Sequence, residues 1–208
     1  MPATRGRVLL PWRYTGRVGM VADHKDDAML LDATHSFLAV VDVQERLAPA
    51  MTGGEDAIAR CALLMKAAQR LEVPIVLSEQ YPKGLGPTVP AIAALAPEGA
   101  TVPKVHFSCA EDAGFMDKVE TLRRDHAVIC GIEAHVCVLQ TAIEMAAAAH
   151  DVTIVVDAIG SRVADSKEIA LRRMQDAGIR LATTEMVLFE WLRRAGTPEF
   201  KAISKLIR

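Results

Sequence analysis

The sequence predicts an α/β protein: a doubly wound, mostly six-stranded parallel sheet with helices on both faces, in three α/β/α layers. Three observations carry this prediction. Six short apolar runs alternate with helical patterns along the chain, the signature of a sheet built from crossover connections. The longer of those runs are near-continuously apolar instead of alternating, as strands covered on both faces must be. Half of the residues are hydrophobic (51%) but only 4% are aromatic, so the core must be built from Ala, Val, Leu and Ile. A chain of 208 residues can bury one sizeable core, so a single domain is expected over 36–208, preceded by an N-terminal extension over 1–35.

Taken in order, 36–42 is an apolar run ending on an acid, the pattern of a central strand with a polar group at its carboxyl edge. After the Gly53–Gly54 break, Ile58, Cys61, Leu64, Met65, Ala68 and Leu71 recur at helical spacing, which predicts a helix over 56–72. The second strand is 74–78. The stretch 79–103 is dense in Pro and Gly, with one short helix over 89–95, and a long excursion in a compact domain is usually functional. A third strand over 102–107 carries Pro103 and suits a sheet edge.

A helix over 112–124, a fourth strand over 127–130, a turn at Gly131 and a helix over 134–149 follow. The fifth strand, 151–157, again ends on an acid. Asp165 or Ser166 is expected to cap a helix ending at Ala177, with Gly178 at its C′ position. A short sixth strand over 179–182 precedes a helix capped by Thr184 and running to Arg194, and Pro198 opens a last helix to about 206.

The net charge is −2, with acids and bases mixed along the chain, which points away from nucleic acid and from anionic membrane surfaces. No apolar run is long enough to span a bilayer. The four cysteines show neither a disulfide framework nor zinc-site spacing, so reduced thiols and a cytoplasmic location are expected. Residues 1–22 carry Arg5, Arg7, Arg13 and Arg17 and no acid, which makes an organelle presequence the alternative. The prolines and glycines among them favour an extension that packs on the domain or on a neighbouring subunit. Met20 and Met29 are alternative starts.

In a doubly wound sheet, ligands bind outside the carboxyl ends of the strands, near the point where strand order reverses. Asp42 and Cys137 follow predicted central strands, and Lys104 lies on a neighbouring one. Cys137 falls in the first turn of a helix, where free N–H groups and the helix dipole favour a thiolate. A thiol nucleophile needs a base and a cation beside it, roles open to Asp42 and Lys104. The plainer alternatives are a small buried hydrophobe for Cys137, a turn cap for Asp42 and a solvated surface lysine for Lys104. His135 lies two residues from Cys137 and on a helix would not face it, so a Cys–His pair is not expected. Gln44, Arg46, Gln80, Tyr81, His106 and Phe107 lie just past strand ends as candidate pocket residues, with His106 on the strand face of Lys104.

The segments VDVQERL at 41–47, PKVHFS at 103–108 and GIEAHVCV at 131–138 resemble the isochorismatase-like cysteine hydrolases, a likeness running from Phe37 to the C-terminus. SEQYPKGLG at 78–86 and TEMVLFEWL at 184–192 look like the branch of isochorismatase domain-containing and YcaC-like proteins, whose members mostly lack an assigned substrate. The resemblance implies a catalytic triad of Asp42, Lys104 and Cys137. It also implies a cis peptide between Ile132 and Glu133 and an oxyanion hole made by the backbone N–H groups of Glu133 and Cys137.

Nicotinamidases of this family hold a metal through an Asp and two His between the catalytic Asp and Lys. Here no histidine occurs between Val43 and Pro103, so no catalytic metal and no cofactor are expected. Isochorismatases proper do not need the cysteine, so its presence favours covalent chemistry on an amide, carbamoyl, ureide-like or ester bond of a small molecule. The alternative of another class is a catalytically silent oligomeric binding scaffold, with nicotinamidase or isochorismatase activity as lesser alternatives. The resemblance, together with apolar helix surface over 134–149 and 186–192, implies a homo-oligomer, a dimer or larger.

Overall fold

The computed structural model describes residues 30–207, so the arginine-rich segment and its alternative as a presequence lie outside the described residues. Six strands form one sheet: β1 (Ser36–Val41), β2 (Ile75–Gln80), β3 (Thr101–Lys104), β4 (His126–Ile132), β5 (Asp151–Gly160) and β6 (Arg180–Ala182). Their order is β3-β2-β1-β4-β5-β6, and every neighbouring pair is parallel. Consecutive strands move outward to one edge through β3, then return to the centre with β4. The reversal between β1 and β4 opens a crevice at their carboxyl ends.

The period of two along each strand separates the core into two layers. Leu38, Val40, Val128 and Cys130 face one side, where they pack with buried residues of α1 (Gly54–Arg70) and α7 (Thr184–Leu192). Phe37, Ala39, Val41, Ala127 and Ile129 face the other, against α4 (Ala113–Leu122), α5 (Leu139–Ala147) and α6 (Ala164–Asp176). Two short helices, α2 (Pro82–Leu85) and α3 (Pro90–Ala93), lie inside the Pro/Gly-rich excursion, and α8 (Pro198–Ile203) closes the chain. Leu31 is buried in the first layer with its N–H on Glu190 Oε2 (2.7 Å), and Trp191 Nε1 donates to Ser36 Oγ (3.1 Å). These bonds fasten the start of the domain to α7. Among the described residues no helix is long and apolar enough to cross a membrane.

Several boundaries differ from the sequence expectation, each for a local physical reason. β4 does not turn at Gly131. The strand continues through that glycine at φ +120°, because a side chain there would meet the backbone of Val41 on β1. β5 does not stop at Asp157 but runs to Gly160, absorbing extra residues in an irregular register between Ile129 and Gly131 of its partner. Asp157 instead accepts from the N–H and hydroxyl of Thr184 (2.7 and 3.0 Å). That leaves Thr183 as the cap of α7, through Met186 N (3.3 Å).

Neither Asp165 nor Ser166 caps α6, which begins at Ala164 after Val163 and keeps Asp165 in its first turn. β3 ends at Lys104 because the following backbone bends around that side chain. The helix expected over 134–149 opens as a π-helical turn, Ala134–Val138, before α5.

The Gly131 approach yields a stability prediction. An ideal Cβ at Gly131 would sit 2.1 Å from the Val41 carbonyl oxygen, whereas nothing lies within 4 Å of one at Gly178. Gly131→Ala is therefore expected to lose on the order of 4 kcal/mol or more, at the severe end of single substitutions. Gly178→Ala is expected to lose only about 1 kcal/mol, the conformational penalty of a left-handed non-glycine residue. Urea denaturation of both variants measures the contrast.

Candidate active site

The end of β1 places Asp42, and its backbone turns there into the left-handed region at φ +51°. That conformation carries strain for a residue with a Cβ, although Asp tolerates it better than most. It is held by neighbouring groups: Asp42 N–H donates to Ser78 O on β2 (3.1 Å), and Gln44 N–H donates to Asp42 O (2.8 Å). The carboxylate then points into the crevice fully buried. Ser78 Oγ donates to its Oδ1 (2.7 Å) and Lys104 Nζ to its Oδ2 (2.8 Å).

Both side chains of this ion pair have 0% exposure. Two charges so far from water are stable only when their remaining hydrogen-bonding capacity is met. Lys104 meets this condition: its ammonium also reaches Gln80 Oε1 (2.8 Å) and the backbone carbonyls of His106 and Phe107 (3.1 Å each). Four acceptors for three protons fix the nitrogen in one place.

Cys137 comes from the π-helical turn after β4, on the far side of the crevice, and is 4% exposed. The Asp42 carboxylate acts on the Cys137 thiol electrostatically. The expectation of a helix-terminal thiolate is corrected here. Burial pushes the Cys137 thiol well above its ordinary value and the Asp42 carboxylate pushes it further, with only partial relief from the Lys104 ammonium. The resting group is a thiol held protonated beside the Asp42–Lys104 ion pair. The helix dipole loses to desolvation and to a full negative charge.

The other anticipated residues divide into three groups. Gln44 and Gln80 are scaffolding: Gln44 Oε1 accepts Gln80 N–H (2.8 Å), and Gln44 Nε2 donates to Gln80 O (3.0 Å) and Gly86 O (2.7 Å). Gln80 Nε2 in turn holds Val105 O (2.8 Å), which shapes the loop around Lys104. Tyr81 (55% exposed) and Phe107 (54%) stand at the outside of that loop with His106, which lies beyond the end of β3 and not on a strand face. Arg46 is exposed and donates to Gly84 O (3.0 Å).

Across the crevice, the Ile132–Glu133 peptide is cis, and Glu133 Oε2 accepts from Arg162 N (3.2 Å) and Nε (2.9 Å). His135 Nδ1 pairs with Ser161 Oγ (3.0 Å).

Sequence reasoning missed three buried residues. Ser78 bonds the carboxylate, and Cys109 Sγ donates to Ser78 Oγ (3.4 Å). Thr141 Oγ1, one helical turn beyond Cys137, accepts Cys109 N–H (2.9 Å). Burial first, then Asp42, pushes the Cys109 thiol up to about 11. The only signal for Ser78 was a hydroxyl at the carboxyl end of a strand adjacent to that of Asp42, which is too common to single out.

Comparison with known proteins accords with this fold. The isochorismatase domain model matches residues 36–186. Isochorismatase domain-containing protein 2B of Mus musculus is 35% identical over 175 residues, covering 83% of this chain and 81% of that protein. The structure of the MAR1 ribonuclease of Caenorhabditis elegans is 34% identical with a TM-score of 0.80, covering 86% of this chain and 92% of that one. The YcaC product of Escherichia coli, described as an octameric hydrolase of unknown specificity, shares the fold at 22% identity and a TM-score of 0.82, covering 88% of this chain and 92% of that one.

Because the Asp42 carboxylate contributes to holding the thiol proton in place, its neutral replacement should release it. Asp42→Asn is expected to move the Cys137 thiol titration to lower pH, as Lys104 is left without an opposing charge. Iodoacetamide labelling across pH, mapped by peptide mass, should show Cys137 reacting at lower pH than in the unaltered protein.

Proposed function

The chain belongs to the isochorismatase domain family, and on that premise we propose that it is a cysteine hydrolase acting on a small-molecule amide, carbamoyl, ureide-like or ester bond. One observation carries the proposal: a fully buried Asp42–Lys104 ion pair whose charges act on the buried Cys137 thiol. An ion pair without access to water is an unfavourable way to stabilise a sheet end. It is a favourable way to hold a base fixed beside a nucleophile.

In this mechanism Cys137 Sγ attacks the substrate carbonyl carbon while its proton passes to Asp42. The developing oxyanion is met by the N–H groups of Glu133 and Cys137, each such donor being worth about 3 kcal/mol at the transition state. Lys104 keeps the Asp42 carboxylate oriented throughout. Collapse of the tetrahedral species expels the amine or alcohol, which takes the proton back from Asp42. Water then attacks the thioester with Asp42 as base, and the acid leaves with the free thiol restored.

With Cys137 only 4% exposed, the reacting group must be small or slender, and Tyr81 and Phe107 offer apolar contact outside it. The ribonuclease name of the C. elegans relative fits this chain less well. A phosphodiester substrate calls for cationic surface, whereas Lys104 is buried and the loop around it exposes Val105 and Phe107. All four cysteines are free, in keeping with a reducing cytoplasm.

Self-association belongs to the same proposal. Met186 and Phe189 on α7 are about half exposed beside Leu30, along a groove of about 580 Å³, and the E. coli relative is described as octameric. Light scattering should report a dimer or larger, and Met186→Glu with Phe189→Glu should shift it toward monomer.

The catalytic proposal is tested by screening amides, carbamoyl compounds, ureides and esters. Cys137→Ala is expected to lower turnover of any hit by roughly a thousandfold or more, as for an essential nucleophile. Hydrolysis undiminished in Cys137→Ala would sink the proposal.

A further inference from the structure

The hydrogen bonds around Asp42 have a direction. A carboxylate only accepts and an ammonium only donates, so on Oδ2 the Lys104 contact can never reverse. On Oδ1 the partner is the Ser78 hydroxyl, which can do either. Ser78 is 1% exposed, and its oxygen also receives the Cys109 thiol. Cys109 is itself fixed by the Thr141 hydroxyl, on the helix that follows Cys137. A single chain of donors therefore runs from Cys109 to Ser78 to Asp42, and it ends on the oxygen not occupied by lysine.

We propose that Ser78, oriented by Cys109, is a positioning residue that controls how readily Asp42 takes the Cys137 proton. The inference rests on the cysteine-hydrolase reading and adds two residues to it. While Asp42 is ionised, Ser78 donates to it and stabilises the charge, which keeps the thiol protonated at rest. When Asp42 accepts the proton, the acid hydrogen lies on Oδ1, since Oδ2 faces an ammonium that cannot accept one. The Ser78 hydroxyl then turns round to accept a hydrogen bond from that acid and points its own hydrogen at Cys109 Sγ, whose S–H rotates away. The chain reverses with no heavy atom displaced and no net proton gained or lost.

This role has a signature that a merely structural serine lacks. Removing the hydroxyl destabilises the ionised acid, so Asp42 withdraws the thiol proton more readily and Cys137 becomes more reactive. Loosening of the fold would instead expose the other buried thiols as well, so the gain must be confined to Cys137 while Cys61 and Cys130 stay unlabelled. The readout is the rate of Cys137 alkylation by acrylamide at pH 7.5, followed by peptide mass mapping, with thermal unfolding as the check on fold.

Ser78→Ala should alkylate roughly tenfold faster, the lower range for a hydrogen bond to a charged group. Ser78→Thr keeps the hydroxyl and should stay within about twofold of the unaltered rate, while Cys109→Ala, which loses only the orienting donor, should fall between them. An unchanged or slower rate in folded Ser78→Ala overturns the proposal. Should Ser78→Ala not fold, an unchanged rate in Cys109→Ala does so. Alkylation needs no substrate, so this result is separate from whether Cys137→Ala abolishes hydrolysis, which tests the underlying reading.

Discussion

The Asp42–Lys104 ion pair is the constraint on which the rest of the site depends. Two charges with no exposure at all demand partners, and the surrounding chain is arranged to supply them. Gln80, the carbonyls of His106 and Phe107, and Ser78 each spend a hydrogen bond on one member of the pair. The loop after β3 bends around Lys104 instead of extending the strand, and Gln44 and Gln80 brace one another to hold that bend. Removing one partner would leave an uncompensated buried charge, typically a loss of about 3–5 kcal/mol.

The sheet delivers these groups to one point by topology. β1 and β4 are neighbours at the reversal of strand order, so the residues after them, Asp42 and Cys137, face each other across the crevice. Gly131 lets the β4 backbone pass where a side chain would collide with Val41, and the chain then turns into the π-helical segment that carries Cys137. Electrostatics follows from the same placement. A buried thiol next to a carboxylate stays protonated, so in the proposed mechanism the nucleophile forms by a proton transfer within the site.

Much of this was legible in the sequence because the relevant signals are local. Continuous apolar runs and helical spacing sufficed for the six strands and the main helices, while acids and a lysine at strand ends made Asp42 and Lys104 candidates that the family resemblance then singled out. What was not legible depends on tertiary approach. Gly131 reads as a turn until Val41 is seen beside it, and Asp157 reads as a strand end until Thr184 is found bonded to its carboxylate. The thiol of Cys137 was expected to be acidified by a helix terminus. The opposing effects, burial and the Asp42 charge, come from residues distant in sequence. Ser78 and Cys109 carry no motif of their own and acquire meaning only through what they touch.

The central claim is that Cys137 forms a covalent intermediate under the control of Asp42 and Lys104. The most direct measurement is the intact mass of the protein quenched within milliseconds of mixing with a turned-over amide or ester, followed by peptide mapping. The account predicts a transient acyl or carbamoyl adduct on Cys137 that forms and decays at rates compatible with turnover. Turnover with no adduct, or with one confined to Cys61, Cys109 or Cys130, would contradict it.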